Sequence, residues 1–200
     1  MRRDRVAAVL AMALLGCQAP PAAPATTPRR AADAQSTYEP RSEPGQGQQF
    51  LARMVGTWQV AKTFHRRGGG EPSVSTGRCT QRLVHDGRFL VSEFAFDAEP
   101  GQPPATGTGT IGFDAASGRF TSFWVDSRST RTSVRQSDGP FDGACIRLVG
   151  RGVGDEKVRV SRTETVLEEG DARIVHRQWS GTDDGGERLT MELVMTRVGG

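Results

Sequence analysis

The sequence predicts an all-β domain, an antiparallel up-and-down β-barrel of about ten strands. A short N-terminal helix leads into it, and a signal peptide and disordered linker precede it. Three observations carry this. From Thr57 onward apolar residues alternate with polar ones at period two, the spacing of a half-buried strand. Turn-forming clusters recur along the same stretch and cut it into runs of strand length. No helix-length segment separates any two runs, so parallel crossovers are excluded and neighbours pair antiparallel. Ten strands in sequence order would leave two bare edges in an open sheet, and closure removes both; a two-layer sandwich is the alternative.

The segments follow in order. Arg2, Arg3 and Arg5 form a positive stretch ahead of the apolar run Val6 to Leu15. That run is too short to span a bilayer, which takes about twenty apolar residues, and has the size of a secretory core. It ends in Leu14-Leu15-Gly16-Cys17, which resembles the bacterial lipobox. The resemblance implies that residues 1–16 are a lipoprotein signal peptide and that Cys17 is lipidated. The membrane is then a partner through this N-terminal anchor, because each buried methylene contributes about 0.8 kcal/mol. Gln18 follows the cysteine, where an aspartate often marks inner-membrane retention. The expected location is therefore the bacterial cell envelope, on the outer membrane facing the periplasm.

Residues 17–47 are rich in Ala, Pro, Thr and Gln, with Pro20, Pro21, Pro24, Pro28, Pro40 and Pro44. A segment so poor in large apolar residues cannot offset its ordering entropy and reads as a disordered tether. Thirty such residues reach roughly 30 Å. The whole chain carries a formal charge of +3, but residues 1–16 hold three Arg and one Asp, leaving +1 after cleavage. With no basic run in the remainder, nucleic acid is excluded as an expected partner.

Residues 48–200 form the barrel domain. Phe50, Leu51, Met54 and Val55 recur at helical spacing. Trp58, Val60 and Phe64 begin the strand pattern, and Leu189, Met191, Leu193 and Met195 share one face of the last strand. Between them lie Arg67 to Gly70, His85-Asp86-Gly87, Glu99-Pro100-Gly101, Asp114 to Gly118, Ser127 to Ser129, Asp138-Gly139-Pro140, Gly152 to Asp155, Glu169-Gly170-Asp171 and Asp183 to Gly186. Such Gly- and Asp-rich clusters supply the positive φ that tight hairpins require.

Gly56-Thr57-Trp58 behind a helical turn resembles the opening motif of lipocalin and calycin barrels. In those barrels the tryptophan plugs the base and an arginine of the final strand packs across it; Arg197 matches that arginine. The ordered set Val55-Gly56-Thr57-Trp58, Asp86-Gly87-Arg88-Phe89-Leu90, Gly112-Phe113-Asp114, Trp124-Val125-Asp126-Ser127 and Thr196-Arg197 resembles a bacterial family over roughly residues 50–198. It is the domain-of-unknown-function family fifteen seventy-nine. The likeness implies the barrel and no activity.

Motifs that would signal chemistry are weak. Gly107-Thr108-Gly109-Thr110-Ile111-Gly112 fits Gly-x-Gly-x-x-Gly literally but is followed by a strand, so it reads as glycines admitting a close neighbour, not as a dinucleotide site. His65, His85 and His176 are scattered without metal-ligand spacing, and no cofactor or metal is expected. The haem-binding nitrobindins, a related barrel family, take an axial histidine from near the chain end; the closing strand here, Arg188 to Val198, has none. No nucleophile elbow is present, so no catalytic residue is assigned. Trp124 and Asp126 share strand parity with Phe120 and Ser122 and would line a pocket if that face points inward; the alternative is that Trp124 is core and Asp126 caps the turn at Ser127.

The expected function is an envelope lipoprotein whose barrel binds a small, partly apolar ligand. The candidate contacts are Trp58, Phe64, Trp124, Asp126, His176, Met191, Met195 and Arg197. The alternatives are a filled, non-enzymatic scaffold that binds a protein and an uncharacterised enzyme. Cys79 and Cys145, an even pair in an oxidising compartment, are open to a disulfide or to simple burial.

Overall fold

The computed structural model describes residues 41–66, 68–98, 101–153, 158–182 and 185–199. The leader, Cys17 and most of the tether lie outside the described residues. So do Arg67, Glu99-Pro100, Gly154-Asp155 and Asp183-Asp184 of four expected turns.

One helix, α1 (Gln46–Arg53), precedes ten strands: β1 (Gly56–Phe64), β2 (Ser73–Val84), β3 (Phe89–Phe96), β4 (Ala105–Asp114), β5 (Arg119–Asp126), β6 (Ser129–Gln136), β7 (Cys145–Val153), β8 (Val158–Glu168), β9 (Arg173–Thr182) and β10 (Gly185–Arg197). All neighbours are antiparallel, and the sheet closes through β1 and β10, from Trp58 opposite Arg197 to Phe64 opposite Met191. Where the turns are described, they fall at the Gly- and Asp-rich clusters, and His85, Asp86 and Gly87 all take positive φ.

The helix begins inside the stretch that composition assigns to the tether. Two contacts recruit these residues to the domain. The ring of Phe113 packs directly on the Cα of Gly47, where any side chain would collide. Gln48 accepts from the Gly45 N–H at 2.7 Å and donates to the Phe113 carbonyl at 2.7 Å.

The helical end of the barrel is plugged. Phe50, Leu51 and Met54 are buried; Phe141 packs edge-on against Phe50 and in turn meets Phe113 and Phe120, which tilt against each other. Trp58 is 0% exposed beneath them and donates its indole N–H to the Met54 carbonyl at 3.0 Å. Arg197 lies across the Trp58 ring, 4.2 Å from its centroid. It binds the carbonyls of Asp171, Val55 and Arg53 at 3.0, 2.6 and 2.7 Å. Gly56 is needed here: its φ is +143°, and a Cβ would meet Arg197 Nη1 at 2.5 Å.

The pairing permitted for Cys79 and Cys145 is absent; both are free. Cys79 is on β2 and Cys145 on β7, five strands apart whichever way the barrel is followed. Strands separated so far cannot bring two Cα atoms within the roughly 7 Å that a disulfide spans. Burial, with a smaller push from Glu93, raises the Cys79 thiol to about 12.

Candidate functional site: the barrel lumen

Above the plug the lumen is hollow, with a cavity of about 460 Å3. Ligand pockets commonly measure about 300–1,000 Å3. Its wall is built by the period-two pattern, since every second residue of each strand points inward. On β5 the inward parity is that of Phe120, Ser122, Trp124 and Asp126, the face that the sequence marks.

Of the sequence candidates, Phe64, Trp124, Asp126, His176, Met191 and Met195 line the cavity. Phe64, 47% exposed, stands at the mouth. Trp58 and Arg197 do not line it. They form the plug, because Trp58 is capped by α1 and Arg197 is spent on three backbone carbonyls.

Trp124 lies flat against β4. Its ring occupies the space where Gly107 would carry a side chain and touches Gly109. The glycine run of β4 is therefore a seat for an indole. Trp124 also meets Phe94 edge-on at 5.5 Å and donates Nε1–H to Asp126 Oδ2 at 3.0 Å. Asp126 accepts further bonds from the Arg128 backbone at 2.9 Å and guanidinium at 3.3 Å. Burial acts to raise its pKa, but the bonds from Trp124 and Arg128 outweigh it and the net shift is downward. Asp126 is thus an ionised cap of the β5–β6 turn that also orients Trp124.

His176 accepts or donates at Nδ1 with Thr165 Oγ1, 2.8 Å away. Part of the ring faces the cavity, but it is remote from bulk water, and burial first and Arg135 second lower its pKa to about 4. It is neutral at pH 7.

Several lumen groups are not distinguished by the sequence. Gln81, 4% exposed, donates to Ser92 Oγ at 2.9 Å, while its Oε1 has no partner among the described residues. Lys62 is 6% exposed with its ammonium 4.7 Å from the Phe96 ring centroid. Arg135 enters from β6, reaching Ser161 Oγ on β8 at 2.9 Å and Gln178 Oε1 on β9 at 3.3 Å. β6 is paired with β7 only at Gln136 opposite Val149, and its first four residues are exposed on both faces. Arg135 crosses β7 where Gly150 leaves room, since a Cβ there would sit 3.0 Å from Arg135 Cγ.

This geometry defines a class: a calycin-like, closed ten-stranded barrel with a plugged base and a largely apolar lumen. The chain belongs to the family described as "Protein of unknown function (DUF1579)", whose profile matches residues 43–197. Among solved structures it is similar to Rv2717c from M. tuberculosis, with 12% identity over 78% of this chain and 100% of that one and a TM-score of 0.55. It is also similar to the S-type phycobiliprotein lyase CPES from Guillardia theta, with 12% identity over 82% of this chain and 98% of that one and a TM-score of 0.50. At such identities the likeness is one of fold. No curated protein matches the chain.

Proposed function

We propose that the protein is a lipoprotein of the bacterial envelope, anchored through Cys17, whose barrel binds a small, partly apolar ligand in its lumen. The cavity of about 460 Å3 carries this reading. A void of that size is lined by Phe94, Ile111, Trp124, Leu148, Met191 and Leu193 with a few polar groups among them. That is the composition of a ligand site. A filled scaffold has no use for such a void, which forfeits the packing contacts of its walls. The fold likeness to CPES, a phycobiliprotein lyase, is consistent with a barrel that binds a ligand.

Native mass spectrometry of the protein purified from its host tests the lumen. A co-purifying small molecule supports the reading, and repeated ligand-free spectra count against it. The anchor has its own test. Cys17→Ser should move the protein from the membrane to the soluble fraction, and an unchanged distribution contradicts the lipid anchor.

A further inference from the structure

A second cation, besides Lys62 over the Phe96 ring, reaches this lumen. Arg135 is drawn into it with neutral partners only, Ser161 and Gln178. The arginines outside are treated differently: Arg147 meets Asp142 and Glu164, Arg162 meets Glu187, and Arg177 meets Glu192. No carboxylate among the described residues pairs with Arg135, and burial alone lowers its proton affinity. A cation partly withdrawn from water without a counter-ion is a cost to the fold.

The guanidinium is nevertheless held in place. Gly150 clears a channel for its stem, and the bonds to Ser161 and Gln178 fix the plane of the fork. Those bonds use two of its five N–H groups, Nε and one on Nη2. Three remain, two on Nη1 and one on Nη2, open to a carboxylate acceptor. His176 contributes from β9. With the Thr165 hydroxyl donating to Nδ1, its Nε2–H becomes the free donor. The wall also carries an apolar stretch, with Ile111, Phe94, Trp124, Leu193 and Met191, interrupted by Lys62, Gln81 and Ser92.

We propose that the lumen takes amphiphiles with a carboxylate head, fatty-acid-like monocarboxylates, seated with the head on Arg135 and the apolar body against Phe94 and Trp124. This rests on the lumen being a ligand site and names the chemistry of the occupant. The ligand supplies the negative charge that the protein withholds from Arg135. Asp126 does not oppose it, because its charge is already engaged by Trp124 and Arg128.

The test uses the chain from Gln18 onward, which retains every described residue, with decanoate and decan-1-ol as probes. Both are titrated by calorimetry at a pH near 8, where the acid is ionised. A charge-assisted hydrogen bond predicts that the acid binds at least about tenfold tighter than the alcohol. Arg135→Gln should abolish that preference while leaving the alcohol's affinity within about twofold. The ligand-free variant should also unfold at the same or a higher temperature, since a half-buried charge without a counter-ion has been removed. Arg135→Lys, which keeps the charge and loses the fork, should give an intermediate preference and serves if the Gln variant does not fold. Equal binding of acid and alcohol by the unaltered chain, or a preference that survives Arg135→Gln, overturns the carboxylate proposal and leaves the lumen reading standing. A ligand-free Arg135→Gln chain that is clearly less stable shows Arg135 to be a seam staple between β6 and β8 and also overturns it. Binding of neither probe overturns both.

Discussion

Acidifying the ligand-free protein from pH 7.5 to 4 should weaken the fold through His176 by up to about 3 kcal/mol. Burial, aided by the charge of Arg135, lowers the imidazole from 6.5 to about 4. In the unfolded chain the same ring titrates near 6.5. Between those values the unfolded chain binds a proton that the folded chain refuses, so stability falls as pH falls. Above about 6.5 the contribution is complete, and below about 4 both states are protonated and the loss stops growing. A difference of about 2.5 pH units at 1.36 kcal/mol each gives roughly 3 kcal/mol, an upper bound because water entering the lumen would soften it. The assay is urea unfolding of the unaltered chain and His176→Gln at several pH values across that window, compared at constant m. Glutamine keeps a hydrogen-bonding partner for Thr165 and has no proton to gain. Carboxylates such as Asp142, held down to about 2 by the Ala144 N–H and Arg147, lose their contribution at lower pH and in both chains alike. The stability difference between the two chains should therefore shrink by about 2–3 kcal/mol on acidification, the variant losing less. A difference that stays constant to within about 0.5 kcal/mol refutes a neutral, buried His176.

Other expectations concern the plug, the indole seat and the cysteines. Trp58→Ala should cost about 3–5 kcal/mol in denaturant unfolding, as the removal of a fully buried large side chain does. Arg197→Ala, which strips three carbonyls of their donor, should cost about 1–3 kcal/mol and leave lumen binding unchanged by calorimetry. Gly107→Ala should force the Trp124 ring from its seat, read as a changed near-ultraviolet circular dichroism signal with a loss of about 1–3 kcal/mol. Alkylation of the denatured, unreduced chain from Gln18 onward should label both Cys79 and Cys145, whereas in the native state Cys79, 1% exposed with its thiol raised to about 12, should react far more slowly than a free thiol.

What could be read from the chain in advance follows from where the sequence carries a unique constraint. Turns such as His85-Asp86-Gly87 are legible because positive φ admits few residue types. β5 offers only a partial asymmetry, with Phe120, Trp124 and Asp126 on one parity against Phe123 and Val125 on the other, so which face turns inward stays open in the sequence. β6 has no such asymmetry. In Ser129–Gln136 polar residues occupy both parities, so nothing in the pattern says that Arg135 reaches across Gly150 into the lumen. The polar lumen residues Gln81, Ser92, Thr163 and Thr165 are silent for the same reason, since a Ser or Thr suits either face of a strand. The role of Trp58 and Arg197 was half legible. Their partnership could be inferred from the motif, but the carbonyls that occupy Arg197 come from Arg53, Val55 and Asp171, which no spacing brings together. Cys79 and Cys145 show the limit most plainly, because parity of count carries no information about distance around a ring of strands.

The central claim is that a ligand enters the hollow above Trp58. Heteronuclear NMR of the isotope-labelled chain titrated with decanoate tests it most directly. The account predicts shifts concentrated on the Trp124 indole, the His176 ring, the Arg135 Nε–H and the Met191 methyl, all of which line the cavity. Shifts confined to the exposed apolar side chains Val125 and Val134 on the outside of β5 and β6, or no shifts at all, would contradict it.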